Sequence, residues 1–211
     1  MLLTVVDYGV GNLRSIAKSI ERANSDNNLN YSVKVSSDIN DIKKSDKIVL
    51  PGQGSFKSCK EGIDKIIGLE QELNEIVLIK KKPIYGICAG MQLFANIGHE
   101  EETTAGLNWI QGEVIKLDLG LSKLKIPHMG WNELKVEKAS NVFKDVINKN
   151  HAYFIHSYEF IPKDKKNVSI KTNYGKDIIA AVSSGNIYGS QFHPEKSQIT
   201  GIKILTNFLK L

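Results

Sequence analysis

This chain of 211 residues is poor in several features that mark whole protein classes. It has two cysteines, Cys59 and Cys88, too few for a disulfide scaffold. Its longest run of apolar side chains is five residues, Ile178 to Val182, which excludes a membrane-spanning helix. The N-terminal stretch MLLTVVDYG lacks a basic segment, and Asp7 interrupts its apolar run, a poor fit to a secretory leader. These absences point to the reducing cytoplasm, where each cysteine is either a packing residue or a reactive one. Arginine is scarce: Arg14 and Arg22 are the only two among 28 cations. Duplex readers favour arginine forks for base contacts. With lysines scattered along the chain, the net charge of +5 reads as solvated surface, not as a nucleic-acid stripe.

What is present describes an ordinary globular domain, with 41% hydrophobic and 24% charged residues and no internal repeat or linker, so one domain is expected over 1–211. The first half alternates between strand and helix patterns. Leu2 to Val6, Tyr31 to Val35, Lys47 to Leu50 and Pro83 to Cys88 read as strands. Apolar residues at Leu13, Ile16, Ala17, Ile20 and Ala23 predict a helix, as do Phe56 to Ile67 and Met91 to Ile97. The second half is richer in strands: Val114 to Leu117, Trp131 to Val136, Ala152 to Phe160, Val168 to Thr172, Ile178 to Ser183 and Ile187 to Phe192. A last helix carries Ile199, Ile202, Leu205, Phe208 and Leu209. The expected class is α/β, with a mostly parallel central sheet between helices and antiparallel strands added late.

The strongest local signal is Gly86-Ile-Cys88-Ala-Gly90, where a strand pattern meets a helix pattern. It is the cysteine form of a nucleophile elbow. The nucleophile sits on a strained turn, side chains at the flanking glycines would collide, and helix N-terminal amides would favour a thiolate and an oxyanion. The competing reading is a buried cysteine in an ordinary turn; for Cys59, which has no such glycines, packing is the better reading. A thiolate needs a base, and the base an orienting group. Gln191-Phe-His193-Pro-Glu195 supplies both: in extended backbone, residues two apart share a face, and Pro194 keeps His193 extended. The same segment also reads as a helix start with Pro in its first turn. A metal site built from Cys88, His128, His151, His156 and His193 is disfavoured, because no pair has tight zinc spacing. Gly9 and Gly11 make only a weak phosphate loop.

Taken together, these segments resemble the class I (triad) glutamine amidotransferases. The resemblance runs nearly end to end, through Asp7-Tyr-Gly-Val-Gly-Asn12, Pro51-Gly-Gln-Gly54, Gly86-Ile-Cys-Ala-Gly-Met-Gln92, Pro127-His-Met-Gly-Trp-Asn132, Phe154-Ile-His-Ser-Tyr158 and Gln191-Phe-His-Pro-Glu-Lys-Ser197. The first and fourth of these are most similar to the glutaminase subunits of imidazole glycerol phosphate synthases, of histidine biosynthesis. The resemblance implies a flavodoxin-like three-layer sandwich and glutamine hydrolysis through a Cys88 thioester. His193 would be the base and Glu195 its orienting acid. Ala89, Gly52 and Gln53 would supply oxyanion donors, and Gln92, Ser157 and Tyr158 would hold glutamine. Asn12, His128, Trp131 and Asn132 would lie at the face of a (βα)₈-barrel cyclase partner, which receives the ammonia. No cofactor or metal is implied, and His151 and His156 read as structural.

Three positions depart from the family pattern. Gln53 and Ala89 act through backbone, so little harm is expected. Glu159 stands where an aromatic residue is common, which puts detail of the glutamine pocket or the interface in question. Two alternatives stay open: a glutaminase serving a paralogous synthase (amidino-sugar or pyridoxal phosphate), or a non-catalytic regulatory subunit.

Overall fold

The computed structural model describes residues 1–211. Eight strands form the main sheet, in the order β2-β1-β3-β4-β14-β13-β12-β9. Five are parallel: β1 (Leu2–Val6), β2 (Ser32–Ser36), β3 (Lys47–Leu50), β4 (Ile84–Ile87) and β14 (Ile187–Ser190). Antiparallel β13 (Asp177–Ser184), β12 (Val168–Asn173) and β9 (Lys135–Val136) extend it. Alternation along the strands builds two cores. Leu3, Val5, Val49, Tyr85 and Ile87 face one side, with α1 (Leu13–Asp26) and α6 (Gln198–Leu209). Val6, Ile48, Leu50 and Ile84 face the other, with α2 (Ile39–Lys44), α3 (Phe56–Asp64) and α4 (Leu69–Asn74). A parallel strand covered on both faces must be apolar throughout, and β3 and β4 are wholly buried. Lys47 is the polar exception: its amine donates to the Phe208 carbonyl at 3.0 Å, satisfying the C-terminal end of α6.

Two smaller sheets complete the fold. One joins β11 (Tyr158–Pro162), β7 (Gly112–Lys116), β5 (Ile97–Gly98) and β6 (Thr104–Ala105); the other pairs β8 (His128–Glu133) with β10 (His151–His156).

The sequence reading needs three corrections. The helix expected over Met91 to Ile97 is instead a short α5 (Ala89–Gln92). Its later carbonyls are taken by other amides: Leu107 donates to Leu93, Trp109 and Ile110 to Phe94, and Asn108 to Ala95. The strand expected over Ala152 to Phe160 breaks at Ser157, because the chain passes there from β8 to β7 as its pairing partner. Helices α2 and α4 were missed; each is only six residues long, too short to display a period.

Candidate active site

β4 ends at Ile87, and Cys88 takes φ 54° and ψ −116° before α5 begins. A non-glycine residue with that backbone is strained, so the surrounding packing must impose it. The flanking glycines show how. A Cβ on Gly90 would stand 2.1 Å from the Leu50 carbonyl oxygen, and one on Gly86 would meet the Phe94 ring at 2.5 Å. A Cβ on Gly52 would lie 1.9 Å from the Gly90 amide nitrogen, so the turn after β3 rests directly on the elbow. The Gly52, Gln53 and Ala89 amides donate to no carbonyl of the chain. Tyr8 donates to the Pro51 carbonyl, and the Cys59 thiol approaches the Gln53 carbonyl at 3.7 Å. Burial pushes the Cys59 thiol up to about 12, which leaves it an inert packing group.

His193 is extended and caps a single turn of 3₁₀ helix, Pro194–Lys196; the helix-start reading holds, and Glu195 reaches His193 from within that turn rather than along an extended strand. Its Nδ1 donates to Glu195 Oε1 at 2.8 Å, leaving Nε2 for other work. Burial opposes charge on the ring. Hydrogen bonding and charge from Cys88 and Glu195 outweigh it and raise its pKa to about 10. Glu195 is held with only 1% of its side chain exposed.

Cys88, His193 and Glu195 line one cavity of about 310 Å³, together with Gln53, Ala89, Gln92, Ser157 and Tyr158. Such a volume suits a small metabolite. Gln92 is 4% exposed; its amide donates to the Tyr158 carbonyl at 3.1 Å and to Gln191 Oε1 at 2.9 Å. Gln191 in turn donates toward Cys88 Sγ at 3.5 Å. Two residues that bear on the site were not among the sequence candidates. Glu100 sits in a run of three acids that reads as solvated surface, yet it lines the cavity and accepts from the Phe56 amide at 2.7 Å. Gln191, the first residue of the Gln191–Ser197 motif, is buried behind the cavity wall, bonded to Gln92 and to the Cys88 sulfur. No three metal-ligating side chains cluster anywhere in the chain.

The residues expected at a partner face separate. Asn12 is exposed and reaches the cavity wall. Trp131 is 48% exposed, beside Met129 at 60% and Ile155 at 39%. Asn132 is half-buried. His128 is the correction: at 2% exposure its ring points inward, because strand alternation gives the outer face to Met129 and Trp131. Glu159 lies on β11 away from the cavity lining; it is buried and ion-paired with Lys176 at 2.7 Å.

A cysteine on a strained elbow, set beside a buried His-Glu pair, is the arrangement of a thiol-dependent acyl-transfer enzyme. The class-I glutamine amidotransferase family model matches residues 4–211. The chain belongs to that family. Among similar amidotransferases, the imidazole glycerol phosphate synthase subunit HisH of Pelagibacter ubique is 49% identical over 211 residues, covering all of both chains. The protein of the same name from Brucella suis is 41% identical, covering all of this chain and 99% of its own. A solved glutamine amidotransferase superposes with TM-score 0.72 at 16% identity, covering 99% of each chain. The amidotransferase fold is therefore shared where the sequence has drifted far. No helix of the chain is long and apolar enough to cross a membrane.

Proposed function

We propose that this amidotransferase is the glutaminase subunit of an imidazole glycerol phosphate synthase of histidine biosynthesis. One observation carries the catalytic reading: Cys88 on its elbow and the His193–Glu195 pair line the same cavity. His193 takes the thiol proton, and the Cys88 sulfur attacks the side-chain amide carbon of glutamine. The Ala89 amide and the Gly52–Gln53 segment receive the oxyanion. The tetrahedral adduct collapses, the C–N bond breaks, and His193 returns the proton to the departing nitrogen as ammonia. Water then attacks the glutamyl thioester, releasing glutamate and restoring the thiol. Gln92 and the Ser157–Tyr158 backbone hold the substrate, and Glu100 is placed to meet its ammonium group.

Ammonia in water is mostly ammonium, which is not nucleophilic, so it must be handed directly to a partner. The proposed recipient is a (βα)₈-barrel cyclase subunit, docked where Asn12, Trp131 and Asn132 stand. The exposed Met129, Trp131 and Ile155 supply the apolar anchor that such an interface requires. Two free thiols suit a reducing cytoplasm, and the match over 4–211 supports a single domain.

The test is glutamate formation with the barrel partner and its ribotide substrate present. A diazo-ketone glutamine analogue should label Cys88 and stop turnover, while synthesis fed by ammonia continues. Unchanged turnover in Cys88→Ala would reject the nucleophile.

A further inference from the structure

We infer that His128 and His156 are positioning residues for the glutamine pocket: a one-way thread of hydrogen bonds through both rings holds the Tyr158 carbonyl in place. The inference deepens the glutaminase reading and rests on it.

The two histidines stand directly opposite each other in the β8–β10 pair, so their side chains share a face. His128 Nδ1 lies 3.0 Å from His156 Nε2, and His156 Nδ1 lies 2.8 Å from the Tyr158 carbonyl oxygen. The Asn132 amide nitrogen is 3.1 Å from His128 Nε2 and 2.8 Å from the Asn173 carbonyl oxygen. A neutral imidazole has one donor and one acceptor, so the direction of the thread follows from its ends. A carbonyl only accepts; His156 must therefore carry its proton on Nδ1 and accept at Nε2. His128 then donates from Nδ1 and accepts at Nε2, where the Asn132 amide stands ready to donate. Asn132 Oδ1 accepts from the Glu133 amide at 2.8 Å, which sets the orientation of that amide.

Both rings are kept neutral. Burial pushes His128 down to about 4 and His156 to about 3. The bond to the Tyr158 carbonyl opposes that shift in His156, while His128 and His193 lower it further; burial is the cause for His128, which stacks on Phe154 and Tyr174. Glu133 turns away, toward His151 at 3.8 Å.

The thread ends where the substrate would lie. The Tyr158 carbonyl that His156 grips is the one Gln92 also grips, and Ser157 and Tyr158 line the cavity. Its other end, Asn132, is on β8, the strand that presents Met129 and Trp131 outward. The backbone edge of the pocket is thus tied to the strand proposed to meet the partner.

The experiment is steady-state glutamine kinetics of the complex with saturating barrel partner, with ammonia-fed synthesis as the control. His156→Leu should raise the KM for glutamine about tenfold, the size of one lost buried hydrogen bond, and leave the ammonia-fed rate unchanged. His156→Asn, which returns an N–H near the Nδ1 position, should recover most of the loss. Asn132→Asp is the sharper variant. A carboxylate only accepts, so His128 must donate from Nε2 and can complete the thread only when doubly protonated. Its KM should climb between about pH 6 and about pH 8, while that of the wild type stays flat. A purely structural role would lower melting temperature without that slope. KM values for Asn132→Asp within about twofold of wild type at every pH would overturn the inference. So would an equal loss in His156→Asn and His156→Leu. Should His156→Leu fail to fold, Asn132→Asp, isosteric and half-buried, decides alone. A wild-type complex that turns over no glutamine would instead refute the glutaminase reading.

Discussion

Gly52 and Gly90 touch backbone to backbone: no side-chain atom fits between the turn after β3 and the first turn of α5. That contact sets the two proposed oxyanion segments, Gly52–Gln53 and Ala89, against each other. It predicts that Gly52→Ala, the smallest possible insertion, separates them. Glutamine hydrolysis by the complex should fall by roughly 100-fold, the range seen on losing one oxyanion donor. Partner binding, followed by titration calorimetry, should persist.

The His193–Glu195 bond predicts both an activity and a pH dependence. Glu195→Gln removes the charge that orients and supports the ring, and should cut kcat/KM for glutamine by roughly 10²- to 10⁴-fold. The pKa of His193 is raised in the fold, to about 10, from an ordinary value of 6.5. Its stabilising contribution is therefore complete below about pH 6.5 and is lost as pH rises toward about 10. Thermal melts of the isolated chain from neutral to alkaline pH should show this loss, and Glu195→Gln should shift it to lower pH.

His128 and His156 act with the opposite sign. Their folded pKa values lie below the unfolded one, so the unfolded chain binds more protons between about pH 4 and about pH 6.5. Stability should fall with acid across that window. Denaturant titrations should find the slope smaller by up to about one proton in His156→Asn.

Trp131, half-exposed beside Met129 and Ile155, predicts an anchor. Trp131→Ala should weaken partner binding by about 2 kcal/mol or more, read by calorimetry. The labelling of Cys88 by a small alkylating reagent in the free subunit should not change. If binding is unaffected, the docking face lies elsewhere.

The parallel half of the fold was legible because β3 and β4 are short apolar runs ended by Pro51-Gly52 and by the Cys88 elbow, and because α1 repeats at helical spacing. The strand that splits at Ser157 was not legible: both halves have strand composition, and only pairing with β8 and then β7 separates them. The helix after Cys88 was overestimated for a similar reason, since amides from residues 107–110 take the carbonyls it would have used.

Local covalent spacing alone determined the elbow, with glycines two residues either side of Cys88, and the His193–Glu195 pair, two residues apart across the start of a 3₁₀ turn. Both are short-range facts written in consecutive residues. Tertiary structure decided everything that depends on distant segments meeting. Sheet order brings β14 beside β4, and so His193 to Cys88 across about a hundred residues. Strand alternation turned His128 inward and left Trp131 outside, and the fold brought Glu100, which was not among the sequence candidates, to the cavity wall. Spacing along a chain encodes neighbours in sequence; only packing selects neighbours in space.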